Sequence, residues 1–259
     1  VTITITGTND APVITDGPDT ADLDETDAGL TASGTLTVSD VDTTDTVAAT
    51  ITLAVSGTSD RTDAAAPDDA TLLGMMTLTP ASILDGTQNT ATLTWNFNSG
   101  SEAFNYLATG ETLVLTYTVT ATDDDGTPLT DSETVTITIT GTNDAPVITD
   151  GPDTADLDET DAGLSASGTL TVTDVDTTDT VAATTALVIS GTSDRNDPAA
   201  PSDATLDAMF SVTPAAILDG TENTATLTWN FNSGSEAFDY LATGETLVLT
   251  YTVTATDDD

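Results

Sequence analysis

Leu113-Val-Leu-Thr-Tyr-Thr-Val-Thr-Ala121 decides the fold. Its apolar residues recur at every second position, so Leu113, Leu115, Tyr117, Val119 and Ala121 share one face and Thr fills most of the other. A period of two belongs to a half-buried strand, not to a helix. The alternation returns in Val135-Thr-Ile-Thr-Ile139 and in Ala91-Thr-Leu-Thr-Trp-Asn-Phe97, which sets Leu93, Trp95 and Phe97 on one side. Further strands are expected over 34–39, 47–56 and 75–79, separated by turns at Asp85-Gly86, Ser99-Gly100, Thr109-Gly110 and Asp125-Gly126. Short strands at this spacing predict an all-β, antiparallel β-sandwich. One helical turn is expected over 101–107, capped by Ser101, with Phe104 and Leu107 inward. Strand parity places Trp95 and Trp229 in the core rather than on a sugar-stacking surface.

Working outward from that strand, the unit is found to be written twice. Residues 1–125 align on 135–259 without insertion, at an offset of 134, and differ at 17 of 125 positions. A domain-sized period predicts tandem domains arranged end to end rather than a solenoid. The frame expected here is 1–10 as the last strand and linker of a preceding repeat, 11–144 as the first repeat and 145–259 as the second without its final strand. The frame 1–125 and 135–259 is the alternative. Val1 falls in mid-strand pattern, so the chain reads as an internal piece.

Charge narrows the function. The chain carries 44 Asp and Glu against two Arg (Arg61 and Arg195) and no His, a net charge of -42. Phosphate binding needs Lys and Arg, so nucleic acid and anionic membrane surfaces are excluded as partners. No apolar run is long enough to span a bilayer, which excludes membrane insertion. The absence of Cys excludes a disulfide framework. Without His or Lys, nucleophilic catalysis lacks its base, so no enzyme is expected. Arg61 is expected to relieve repulsion between Asp60 and Asp63. Self-repulsion of this size opposes a compact state unless cations bind.

The acids gather where cations would be wanted. Asp123-Asp-Asp125 lies before the joint Gly141-Thr-Asn-Asp-Ala-Pro146, Asp150, Asp153, Asp156, Asp158 and Glu159 follow it, and Asp174-Val-Asp176 ends a strand. Asp19, Asp22, Asp24 and Asp27 form a further candidate group. Loop carboxylates, Asn amides and backbone carbonyls are the oxygen ligands of calcium, whereas zinc and copper want His or Cys. Pro146 restricts both itself and Ala145, so the joint should have little slack.

Leu115-Thr-Tyr-Thr-Val-Thr-Ala-Thr-Asp123, Gly126-Thr-Pro-Leu, Val135-Thr-Ile-Thr-Ile and Asn143-Asp-Ala-Pro146 together resemble the last two strands and linker of a cadherin domain. With Gly34-Thr-Leu-Thr-Val-Ser-Asp-Val-Asp42, the whole unit resembles the VCBS repeats, the cadherin-like extender domains of bacterial RTX adhesins exported by type I secretion. The resemblance implies a cadherin/immunoglobulin-like sandwich, a secreted location on the bacterial cell surface, and calcium at interdomain linkers. Carried over, it assigns Asn143, Asp144, Asp174, Asp176 and Asp257 to one linker, with Glu25 and Glu111 from the preceding domain. Asn9, Asp10, Asp40, Asp42 and Asp123 form the other. The linker departs from cadherins by lacking an extra Asp and Asn, which implies fewer ions per joint.

The function so implied is a structural spacer whose partners are the adjacent repeats of its own chain. The alternatives are a glycan- or protein-binding module and a halophilic surface-layer sandwich without specific calcium. Fragments cut in the expected frame could also exchange strands head to tail.

Overall fold

The computed structural model describes residues 1–26, 28–176 and 179–258, so Asp27 and Asp259 lie outside the described residues. The chain divides into two compact units, Val1–Thr142 and Asn143–Asp259.

Unit 1 runs β1 (Val13–Thr15), β2 (Asp19–Asp24), β3 (Thr31–Ser39), β4 (Thr46–Gly57), α1 (Asp69–Gly74), β5 (Met76–Thr79), β6 (Ser82–Asp85), β7 (Thr90–Asn98), β8 (Thr112–Asp123) and β9 (Thr130–Thr140). One sheet has the order β1-β3-β7-β5 and the other β2-β9-β8-β4-β6. The alternating strands are where the pattern put them. On β8 every second residue from Leu113 to Ala121 is fully buried, opposite Val135, Ile137 and Ile139 of β9. These side chains meet Leu36, Val38, Leu93, Trp95 and Phe97 of the first sheet in a single core, which makes the unit a β-sandwich.

Three expectations need correction. The second sheet is mixed, because β2 runs parallel to β9, from Asp19 opposite Val135 to Asp24 opposite Thr140. Asp19, Asp22 and Asp24 therefore ride on a strand rather than in a turn, with Asp22 and Asp24 exposed. Carboxylates along such an edge deter pairing with a stranger's strand. Second, residues 101–107 form tight turns instead of a helical turn. Phe104 is buried at φ 69, its N–H donating to Glu102 Oε1 at 3.0 Å. The only helix of unit 1 among the described residues is α1, whose Asp68 cap accepts the Thr71 N–H at 2.7 Å and whose Leu72 is buried. Third, the acid that forms an ion pair with Arg61 is Asp69, at 3.0 Å and eight residues further on.

Trp95 ties the sheets together. Its ring is 1% exposed, and Nε1 donates to Asp19 Oδ2 at 2.8 Å, joining the β7 core to the edge strand β2. Gly34 leaves the space: a Cβ there would meet the Asp19 carboxylate and come within 2.6 Å of Trp95 Cζ2. Gly34→Ala is therefore expected to destabilise unit 1 by about 1–3 kcal/mol, the usual cost of overpacking. A calorimetric melt in which the variant matches the parent would refute that account.

Unit 2 runs β10 (Val147–Thr149), β11 (Ser165–Thr173), β12 (Thr180–Gly191), α2 (Asp203–Asp207), β13 (Phe210–Thr213), β14 (Ala216–Asp219), β15 (Thr224–Asn232) and β16 (Leu247–Thr256). Its sheets are β10-β11-β15-β13 and β14-β12-β16. Here β16 is an edge, paired to β12 alone, whereas its counterpart β8 lies between β4 and β9. Residues 153–158, the counterparts of β2, form no strand, and Val1–Asp10 form none either. Among the described residues no helix is long and apolar enough to cross a membrane.

Candidate metal centres

Each unit gathers carboxylates at the end of its sandwich where the strand before an Asp-x-Asp turn stops. In unit 1, β3 ends at Ser39 and β8 at Asp123, and one carboxylate oxygen each of Asp40, Asp45 and Asp123 lies within 4.8 Å of the others. In unit 2, Asp174, Asp176 and Asp179 do the same. Shifted by the repeat offset, both trios are drawn from four equivalent positions, those of Asp40, Asp42, Asp45 and Asp123.

The linker asparagines and aspartates dock onto these trios. In unit 1, Asn9 Nδ2 donates to Asp123 Oδ2 at 3.2 Å and to the Thr127 carbonyl at 3.4 Å. The Asp10 N–H donates to Asp42 Oδ2 at 2.7 Å, and the Asp42 N–H to Asp40 Oδ1 at 3.0 Å. Unit 2 repeats the wiring: Asn143 Nδ2 to Asp257 Oδ1 at 3.5 Å, the Asp144 N–H to Asp176 Oδ2 at 2.7 Å, and the Asp176 N–H to Asp174 Oδ1 at 3.1 Å. Asn9, Asp10, Asp40, Asp42 and Asp123 are thus one neighbourhood, and Asn143, Asp144, Asp174, Asp176 and Asp257 another.

Glu25 and Glu111 lie elsewhere in unit 1. Glu25 is 1% exposed, and its Oε1 accepts the Thr142 N–H at 3.1 Å and the Thr142 hydroxyl at 2.7 Å. The Glu111 carbonyl accepts the Gly141 N–H at 2.9 Å, and its Oε2 the Ala108 N–H at 3.4 Å. Both converge on Gly141–Thr142. Glu111 precedes β8 and Asp123 ends it, so the two acidic groups are separated by the strand's length, roughly 35–40 Å at about 3.3 Å per residue.

The donor sets fit a hard cation. Buried oxygens without a hydrogen-bond partner include Asn9 Oδ1, Asp40 Oδ2, Asp174 Oδ2, Asp176 Oδ1 and Glu25 Oε2. A buried acceptor left unsatisfied costs about 1–3 kcal/mol, more when charged, and a cation is one partner that would satisfy each of these oxygens. Among the described residues every candidate ligand is oxygen, the preference of calcium.

Asp45 and Asp179 are the candidate ligands that sequence reasoning missed. Both follow the Asp-x-Asp pair by three residues, and in each copy the N–H of that residue donates to the carbonyl of the pair's second Asp, at 3.0 and 3.1 Å. This tight turn folds the third carboxylate back onto the first. The spacing Asp40-Val-Asp-Thr-Thr-Asp45 was the available signal.

Crowding marks the second trio electrostatically. Burial, then Asp179, Asp144 and Asp174, push the Asp176 carboxyl up to about 7; burial and then Asp257 raise Asp174. Because the folded-state value lies above that of the unfolded chain, the metal-free fold is favoured while the proton stays on. That stabilisation is complete below about pH 4 and is lost as pH rises through about 7. Metal-free unit 2 should accordingly melt progressively lower between those limits, and Asp176→Asn should flatten the profile. Thermal melts in chelator across this range check it.

No family model matches the chain, and no curated protein does. Solved structures that resemble it include mouse cadherin-23 EC22-24, with 15% identity over 95% of this chain and 66% of that one at a TM-score of 0.32. Titin domains z1z2 in complex with telethonin give 16% over 97% and 92% at 0.33. The CsuC–CsuE chaperone–tip adhesion subunit complex of Acinetobacter baumannii gives 10% over 95% and 100% at 0.34. Likenesses this distant carry nothing about function. The chain's own two-sheet packing gives its class, an all-β sandwich.

Proposed function

We propose that this chain is a pair of structural extender repeats from a large secreted bacterial surface adhesin, stiffened by calcium held at the linker segments Asn9–Asp10 and Asn143–Asp144. One observation carries the reading: overlapping sets of equivalent positions in the two copies turn carboxylate oxygens toward one another and leave buried oxygens unpartnered, in a chain of net charge -42. Two arginines offset little of that charge, and divalent cations seated among the crowded carboxylates relieve the repulsion where it is greatest. The linker itself contributes ligands, so binding the cation removes slack from the segment that joins one repeat to the next. Glu25, with one bare buried oxygen beside Thr142, suits the same chemistry at the other end of its unit.

Extracellular calcium modules bind with Kd of about 10⁻⁴–10⁻³ M, so such a chain stays loose in calcium-poor cytosol and stiffens on export. The resemblance to VCBS extender repeats points to the adhesin and to its place on the cell surface. A glycan-binding module would present an aromatic platform, and no aromatic side chain among the described residues is exposed.

Small-angle scattering of the chain with calcium and with chelator tests the proposal. The maximum dimension should fall and the profile broaden when calcium is removed. An unchanged maximum dimension, or a full substitution of calcium by sodium at matched ionic strength, defeats it and favours a halophilic sandwich.

A further inference from the structure

We propose that β2 and β9 form a shear clamp, a ladder placed so that tension along the chain strains all of its bonds together. The proposal deepens the spacer reading, since a spacer is pulled along its length. It rests on unit 1 alone, however, and its test needs neither calcium nor an adhesin.

Chain direction sets the geometry. The chain enters the unit 1 sandwich past Asn9 and Asp10, which are tied to Asp123 and Asp42 at the end where β9 begins. It leaves through Gly141 and Thr142, tied to Glu111 and Glu25 at the opposite end. Tension therefore draws the start of β2 and the end of β9 toward opposite ends of the sandwich. Because β2 is parallel to β9, from Asp19 opposite Val135 to Asp24 opposite Thr140, the two strands are pulled past each other along their own axes. The ladder bonds run from strand to strand, so all six pairs share the pull. Were the first and last strands antiparallel, the same tension would open them from one end, bond by bond. On the way in, β1 offers only three pairs with β3, with the Ile14 N–H on Asp131 Oδ2 at 2.8 Å, so β2 is the longer barrier.

Both ends of the clamp are fastened. At its start, Asp19 Oδ2 accepts from Trp95 Nε1 at 2.8 Å, which holds β2 to the other sheet. At its far end the ladder runs on past the strand. The Glu25 N–H donates to the Thr140 carbonyl at 2.9 Å, and Glu25 Oε1 accepts the Thr142 N–H and hydroxyl at 3.1 and 2.7 Å. The buried Glu25 thus grips the chain just where it leaves β9. Backbone groups two residues apart on a strand point the same way. The N–H groups of Ala21 and Leu23 therefore share the direction of the Glu25 N–H, toward β9. Those of Thr20 and Asp22 point away, and the Thr20 N–H is accepted by Asp19 Oδ1 at 3.0 Å instead.

Single-molecule force spectroscopy on the 259-residue chain, in chelator, tests the clamp. The chain has no cysteine, so handles attach through pairs of thiols introduced at exposed positions that span unit 1 alone. Thr8→Cys with Ala145→Cys pulls the ladder in shear, and Ala28→Cys with Ala145→Cys pulls the same ladder open from its Glu25 end. Unit 1 should yield at the higher force, and in one step, in the first geometry. Forced unfolding is governed by the unfolding rate. In shear, Ala21→Pro removes one ladder donor and should raise that rate at fixed force about fivefold, the worth of one net hydrogen bond. Asp22→Pro, whose N–H faces away from β9, should leave it unchanged. Leu72→Ala, which deletes a buried side chain of α1, should lower the melting temperature more than Ala21→Pro does, yet change the forced rate less. Equal forces in the two geometries would overturn the proposal, and that comparison decides it even where Ala21→Pro does not fold. So would a forced rate moved as far by Asp22→Pro or Leu72→Ala as by Ala21→Pro. Neither result touches the calcium reading, which scattering tests separately.

Discussion

Calcium at about 100 times its Kd is expected to stabilise unit 2 by about 2.7 kcal/mol, and Asp174→Asn with Asp176→Asn to abolish that response. For a unit of this size the stabilisation corresponds to a rise in melting temperature on the order of 10 °C. The two side chains are chosen because both are buried, both have an oxygen without a hydrogen-bond partner, and both titrate high. The sign of the metal-free result separates this account from simple damage to the fold. In chelator at neutral pH the parent holds crowded carboxylates that repel one another, so removing two charges should leave the variant as stable as the parent or more so. In calcium the order should reverse. Each unit has one tryptophan, Trp95 in the first and Trp229 in the second, so fluorescence melts read the units separately, and unit 1 should keep its calcium response in the variant. Curves that fail to cross would mean the carboxylates do not hold the ion.

Much of this arrangement was legible in the sequence because strand parity is a strong local signal. From Leu113 to Ala121 the alternation of apolar residues and Thr is the burial pattern of β8, residue for residue. The linker neighbourhoods were legible through the resemblance, which named Asn9, Asp10, Asp40, Asp42 and Asp123 before their contacts were known. What failed was set by long-range pairing. Asp19–Asp24 reads as an acidic loop, and becomes a strand only because β9 offers a parallel edge. The identical stretch 153–158, with no such edge, forms none. Sequence alone cannot separate the two, since the deciding partner lies more than a hundred residues away. Helix α1 hid for a different reason: it is six residues long, too short for a helical period to emerge, and only its Asp68 cap and buried Leu72 announce it. Asp45 and Asp179 escaped because a carboxylate folded back by a turn leaves no periodic trace.

The same contrast between the copies leads to the second large effect. Trp95→Ala is expected to destabilise unit 1 by about 3–5 kcal/mol, the usual range for deleting a buried aromatic. Domains hold only about 5–15 kcal/mol in total, so a large share of unit 1 should be unfolded on mild heating. Three losses add: the transfer of a ring that is 1% exposed, the cavity it leaves between the sheets, and the hydrogen bond to Asp19 that fastens the edge strand β2. Trp229→Ala removes the same side chain from the same local sequence and should cost clearly less. Its ring is only half-buried, because the strand that carries Ala21 and Leu23 onto the unit 1 core has no counterpart in unit 2. Phe210, which replaces Met76, stacks on the ring at 6.1 Å and between Trp229 and Tyr251 partly fills the gap. In each variant the surviving tryptophan reports the untouched unit as an internal reference, while circular dichroism follows the damaged one. Equal losses in the two units would show that local sequence, and not the strand laid over the edge, sets how much each tryptophan contributes.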